Sequence, residues 1–149
     1  MTDRAFRAKM YLVAIRALNN KLKVNRLEQE ALYTKAQGCG SITIGEKVQT
    51  TRHDDVMAQA IAELEDLKAK YNDMLEEYLR IRKQASQIID MIEDHRHQNV
   101  LRLRYCAGET YEEIADQLHY SADHIKRLHR DALDKFGEIM DKMPLFATK

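Results

Sequence analysis

The sequence predicts an all-α protein: a long antiparallel helical hairpin, coiled-coil-like, followed by a C-terminal helix-turn-helix domain. Three observations carry this. The 149 residues include one Pro, five Gly and 32% charged side chains; few helix breakers among many charges point to long, solvated helices. Two long stretches repeat apolar residues at spacings alternating between four and three. Near the C-terminus a capping-box pattern, a short helix, a tight turn and a longer amphipathic helix follow one another.

The same arithmetic excludes several classes. Lys plus Arg and Asp plus Glu both number 24, so the formal net charge is zero. That argues against coating nucleic acid non-specifically, though not against a local basic face. With 44% apolar residues the low-hydrophobicity signature of disorder is missing. No apolar run approaches the roughly 18–20 residues of a membrane span, so no membrane partner is expected. The polar, charged N-terminus has no signal-peptide pattern. Cys39 and Cys106 stand far apart without a CxxC, which fits a reducing cytoplasm better than a disulfide framework.

Residues 3–36 carry no Gly or Pro. One apolar series runs Phe6, Met10, Val13, Ala17, Asn20, Val24, Leu27, Ala31, with a second stripe of Tyr11, Ile15, Leu18 and Leu22 beside it. The pattern predicts a helix roughly 50 Å long at ~1.5 Å per residue, with a wide apolar face that needs a partner. The partner is next in the chain. Residues 54–93 repeat Ala60, Leu64, Leu67, Tyr71, Met74, Tyr78, Ile81, Ala85, Ile88, Ile92, and Thr51 followed by Asp54 supplies a start signal. Residues 1–36 hold eight basic and three acidic side chains, net +5; residues 54–93 hold five basic and ten acidic, net −5. Opposite flanking charges favour pairing and partner choice. Residues 1–93 are therefore expected to form the hairpin, which doubles as a stalk for a homodimer or higher homo-oligomer.

The segment 37–51 interrupts helix with Gly38, Gly40 and Gly45 and is expected to be a polar loop. Ile42, Ile44 and Val48 fit either a short strand pair or a mobile segment. No GK[ST] follows the glycines, which makes a phosphate cradle a poor reading.

Residues 94–149 form the second expected domain. Asp94 caps a helix over 95–105 whose apolar residues are Val100, Leu101 and Leu103, and Ala107-Gly108 stops it. Thr110 and Glu113 fit a capping box for a helix over 111–118. His119-Tyr120 makes the turn, Ser121 caps the last helix, and Ile125, Leu128, Ala132, Leu133 and Phe136 point inward until Gly137 ends or kinks it. Ala115 stands where the two helices cross closely. His119 occupies a turn position where positive φ is expected, which His tolerates better than most non-Gly residues. The apolar tail, Ile139, Met140, Met143, Leu145 and Phe146, packs back on the domain or on a partner.

Opposite the core face the last helix presents Ala122, Asp123, Lys126, Arg127 and Arg130. A helix in the major groove uses its N-terminal residues for base edges and flanking cations for phosphates. Arg127 is the base-reading candidate, because its fork matches guanine O6 and N7. Lys126 and Arg130 suit phosphates. The competing account is a solvated face in which Lys126 and Arg130 pair with Asp123 or Asp134; seven Lys/Arg against eight Asp/Glu in residues 94–136 would favour it on charge alone. The Ala115, Ser121, Ile125, Leu128 pattern favours double-stranded DNA as the partner. His124 and His129 lie on or beside the same helix, so DNA binding is expected to tighten as pH falls through ~6.5.

The stretch VLRLRYCAGETYEEIADQLHYSADHIKRLHRDALDKF, residues 100–136, closely resembles region 4 of sigma-70-type factors, carried by VLRLRY, G-x-TYEEIA and the spacing from Ser121 to Ala132-Leu133. The layout as a whole resembles short sigma-like regulators of phages and prophages of Gram-positive bacteria, related to the ArpU and RinA late-transcription activators. The resemblance implies sequence-specific DNA binding and control of late phage genes in the cytoplasm of a bacterial host. Positions matching the family's DNA-reading face are Ala122, Asp123, Lys126 and Arg127. The first is commonly Arg in sigma factors and the fourth commonly Gln, so the target differs from an ordinary −35 element. With Ser121, His124 and Arg130 these residues make up the expected DNA-binding set.

No catalytic constellation, cofactor motif or metal site competes. Ser121 is accounted for as a cap, Cys106 has no evident base beside it, and Glu112-Glu113 belong to a helix start. Five of the six His fall in residues 95–129, but His95 and His97, and likewise His124 and His129, point to different helix faces. An adaptor that contacts RNA polymerase without its own DNA specificity, or a small terminase subunit, are the alternatives; the order of domains runs against the second.

Overall fold

The computed structural model describes residues 1–38 and 47–144, except for the side chains of 38 and 47–53. Five α-helices occupy them: α1 Asp3–Gly38, α2 Lys47–Asp90, α3 His95–Leu101, α4 Tyr111–Leu118 and α5 Ala122–Asp141. A π-helical turn, Arg102–Cys106, continues α3. The protein is all-α, its long N-terminal helices packing together ahead of a C-terminal helix-turn-helix. Of the segment 37–51 read as the loop, residues 37–38 and 47–51 are helical. The start signal at Thr51–Asp54 is thus overridden, and α2 begins at Lys47. Ile42, Ile44, Leu145 and Phe146 lie outside the described residues.

The chain divides into two compact units, residues 1–18 with 78–149, and residues 19–77. The larger unit therefore joins the first turns of α1 and the end of α2 to the helix-turn-helix. Thr2 caps α1: its Oγ1 accepts from the Ala5 N–H (3.1 Å) and donates to Asp134 on α5 (2.8 Å). Arg7 pairs with Asp141 at 2.9 Å. The Tyr11 ring packs against Phe136, and its hydroxyl donates to Gln84 Oε1 at 3.0 Å. Ala5, Ala8, Leu12 and Ile15 of α1, Ala85, Ile88 and Ile89 at the end of α2 and Ile92 just beyond it are buried.

Gly137 does not end α5. It lies buried inside the helix, and a Cβ there would stand 2.5 Å from the Arg4 carbonyl oxygen. The backbones of α1 and α5 approach so closely that only hydrogen fits. Ala5 and Ala8 carry small side chains in the same part of α1.

In the smaller unit α1 and α2 run antiparallel. Leu22 and Asn25 are buried on α1, and Ala60 on α2. The Asn25 amide donates to the Leu67 carbonyl at 3.1 Å and its oxygen accepts from Gln29 at 2.6 Å. A satisfied Asn in a helical seam fixes register, since sliding the helices would leave it unpaired.

The α2 series from Ala60 to Ile92 is the inward face: each member is buried or half-buried. The leading α1 series is not. All eight of its members are exposed, with Phe6, Met10, Val13, Val24 and Leu27 at 55, 56, 40, 54 and 63%. The buried apolar positions of α1 belong to a different heptad, Ala5, Ala8, Leu12, Ile15, Leu22. The secondary stripe contributes its Ile15 and Leu22, while Tyr11 and Leu18 are half-buried.

Candidate nucleic-acid interface

The helix-turn-helix is built from local signals. The Asp94 carboxylate caps α3, accepting from the Arg96 N–H at 2.9 Å. The Arg96 guanidinium and that backbone hydrogen bond hold its carboxyl down at about 2. The Thr110 hydroxyl accepts from the Glu113 N–H (3.2 Å) while the Glu113 carboxylate accepts from the Thr110 N–H (2.8 Å), a complete capping box. His119 ends α4 with φ 60° and ψ 43°, the left-handed conformation expected at this turn. Ser121 caps α5 by accepting from the His124 N–H at 3.2 Å. Val100, Ile114, Ala115, Ile125 and Leu128 make the core between the helices.

The π-turn is not visible in the sequence pattern. Its last bond runs from the Ala107 N–H to the Arg102 carbonyl (3.0 Å), and Gly108 leaves it at φ +75°. Tyr105, in this turn, is buried with its hydroxyl 2.6 Å from His129 Nε2. The Tyr111 ring meets His129 edge-on, and the Arg104 guanidinium lies 4.3 Å above the Tyr111 ring. Burial, with the Arg104 and Lys9 charges adding to it, pushes the His129 pKa down to about 4. Burial likewise raises that of the Tyr105 phenol. His129 is therefore a neutral core residue and contributes nothing to a phosphate-contacting face. The pH effect expected from it is withdrawn, because a helix position next to charged residues still points inward.

The expected DNA-binding set falls on the first three turns of α5 and its cap. Ser121, Asp123, Lys126, Arg127 and Arg130 are exposed. Ala122 is half-buried against the helix-turn-helix core, so it does not stand on the face opposite the core as the helical spacing suggested. His124 is half-buried and packs against Tyr120, the rings tilted with centroids 4.8 Å apart.

Charge accounting separates this face from the rest of residues 94–136. Arg96 pairs with Asp94, Arg102 with Asp90, and Lys135 with Glu138. Arg104 donates to the Glu109 carbonyl at 3.0 Å and covers Tyr111. Among the described residues, Lys126, Arg127 and Arg130 have no acidic partner. Asp134, the neighbour that would have neutralised Arg130 in a solvated ion-paired face, accepts from Thr2 instead. Three uncompensated cations on successive turns of an exposed helix face suit a polyanion.

Comparison with known proteins agrees with this geometry. The family model for sigma-70, region 4 matches residues 94–136, under a third of the chain. That segment is a sigma-70 region 4-like domain, a DNA-binding helix-turn-helix type. No curated protein and no solved structure matches the chain. No helix of the described residues is long and apolar enough to cross a membrane.

Proposed function

We propose that the protein is a sequence-specific DNA-binding transcriptional regulator of a phage or prophage, acting on late genes in the bacterial cytoplasm as a homo-oligomer. Residues 94–149 supply the DNA-binding domain and residues 1–93 the hairpin that serves assembly. The observation that carries the proposal is the unpaired trio Lys126, Arg127 and Arg130 on the helix that follows the turn, within the segment similar to sigma-70 region 4. The start of α5 enters the major groove. Arg127 reads guanine O6 and N7, Lys126 and Arg130 neutralise phosphates, and Ser121, Asp123 and His124 line the contact, while Ala122 packs on the core behind them.

The test is a titration against the specific duplex, found by footprinting on the cognate phage genome, and against a scrambled one. Arg127→Ala should lose roughly 1–3 kcal/mol on the specific duplex and little on the scrambled one. Lys126→Ala or Arg130→Ala should weaken both and lower the salt slope by about one. If wild type shows no preference for any duplex yet captures RNA polymerase, the adaptor reading replaces this one. Specific binding confined to a packaging site beside a terminase gene would favour the terminase reading.

A further inference from the structure

The outward heptad of α1 has no partner within the described chain. Phe6, Met10, Val13, Val24 and Leu27 are all exposed, although the helix already buries another heptad. If the buried residues are called a and d, the exposed ones fall at b and f, facing away from the hairpin seam. The row extends over roughly 38 Å at ~1.5 Å per residue. Isolated exposed apolar residues need no explanation, but a continuous row at coiled-coil spacing marks a contact surface.

We infer that this face of α1 pairs with the same face of a second copy, in parallel and in register. The inference rests on the homo-oligomer reading above and names the surface for it. Two features point to a second copy in this orientation. Asn20 is the one polar member of the row, and in-register parallel pairing sets it against Asn20 of the other copy, where the two amides can hydrogen-bond. Antiparallel pairing would set it against Ala17 and leave it without a partner. The flanking charges fit as well. Parallel helices bring each residue beside the row opposite the one five places further on in the other copy. Lys23 then meets Glu28 and Glu30 meets Lys35, both pairs doubled by the two-fold axis, and all four side chains are exposed. Arg16 meets Lys21 as a like-charge pair that opposes these. The face serves the proposed activity too. Residues 1–18 belong to the same compact unit as α5, so parallel, in-register pairing of that segment brings the DNA-reading helices of the two copies together, as a two-half-site target requires.

The experiment uses the full chain. In sedimentation, the wild type should be a dimer. Met10→Glu with Leu27→Glu should weaken dimerisation by roughly a hundredfold or more, with helix content retained because both positions are exposed. In a background of Cys39→Ser and Cys106→Ser, Leu27→Cys should form a disulfide-linked dimer with itself. Lys23→Glu should weaken the dimer and addition of Glu28→Lys should recover it. A dimer indifferent to Met10→Glu/Leu27→Glu would overturn this surface and leave the oligomer reading standing. A wild type that stays monomeric at high concentration would overturn both. Cross-linking only when Leu27→Cys is mixed with Met10→Cys would overturn the parallel arrangement.

Discussion

α1 and α2 carry apolar repeats of similar regularity and make opposite use of them. In α2 the ten-member series from Ala60 to Ile92 faces inward throughout. In α1 the eight-member series from Phe6 to Ala31 faces outward throughout, and a set with smaller residues, Ala5 and Ala8 ahead of Leu12 and Ile15, is buried instead. Hydrophobicity alone would choose Phe6 and Met10 over the two alanines. The choice is made by close approach. Gly137 puts the α5 backbone against Arg4, and an Ala5/Ala8 face admits that contact where Phe6 and Met10 would hold the helices apart. A heptad is thus a statement that a face wants covering, and it does not say by what.

Truncations on the two faces test this contrast, and the largest effects fall on the buried ones. Leu12→Ala and Ile88→Ala should each cost about 2–5 kcal/mol in urea unfolding, since both sites are fully buried. A Leu12→Ala cost no greater than that of an outward residue would break the assignment of the α1 faces.

The next effect is a pH dependence in the unit that the buried face of α1 helps form. His129 titrates near ~6.5 when unfolded and about 4 when folded. The unfolded chain takes up its proton first, so stability from this group is complete above ~6.5 and drains as pH falls toward about 4. The groups around it, Tyr105, Tyr111, Arg104 and Lys9, offer no acid to hold the imidazolium. The full loss is about 3 kcal/mol at most. Urea melts of wild type and His129→Gln at pH 7.5 and 4.5 check it; the variant should show the smaller pH difference, and equal differences would return His129 to the surface.

Gly137→Val should destabilise by about 2–3 kcal/mol, because overpacking against the Arg4 carbonyl outweighs the gain in helix propensity. A thermal melt unchanged by this substitution would remove the close approach that selects the buried face of α1. The smallest effect belongs to the outward row. Leu27→Ala should change unfolding of the dissociated chain by less than about 0.5 kcal/mol, as for other exposed sites.

The helix-turn-helix was legible because its signals are local. Thr110 with Glu113, Ser121 ahead of α5 and His119 at positive φ each act within four residues, and Ala115 needs only the neighbouring helix to be close. The π-turn at Arg102–Cys106 has no signal in the spacing, and the burial of His129 was not legible because its partner Tyr105 lies 24 positions away. The candidate contact residues were recoverable by helical spacing from Ser121, except that Ala122 turns toward the core. The charge balance of the site was recoverable only in part. Seven cations against eight anions favoured a solvated, ion-paired face, whereas the ion pairs of Arg96, Arg102 and Lys135 lie elsewhere and Lys126, Arg127 and Arg130 form none among the described residues.

By itself the sequence determined that the chain is helical, the caps and turn of the helix-turn-helix, the inward face of α2 and the sigma-70 region 4-like character of residues 94–136, because each rests on spacing or on contacts a few residues apart. Tertiary structure alone decided which face of α1 is covered, that Gly137 is a contact rather than a stop, that His129 is neutral, and which cations stay unpaired. These depend on what a distant segment places opposite a residue. A one-dimensional pattern records a residue's tendency toward burial or charge, while packing and pairing settle which of several equal tendencies is satisfied.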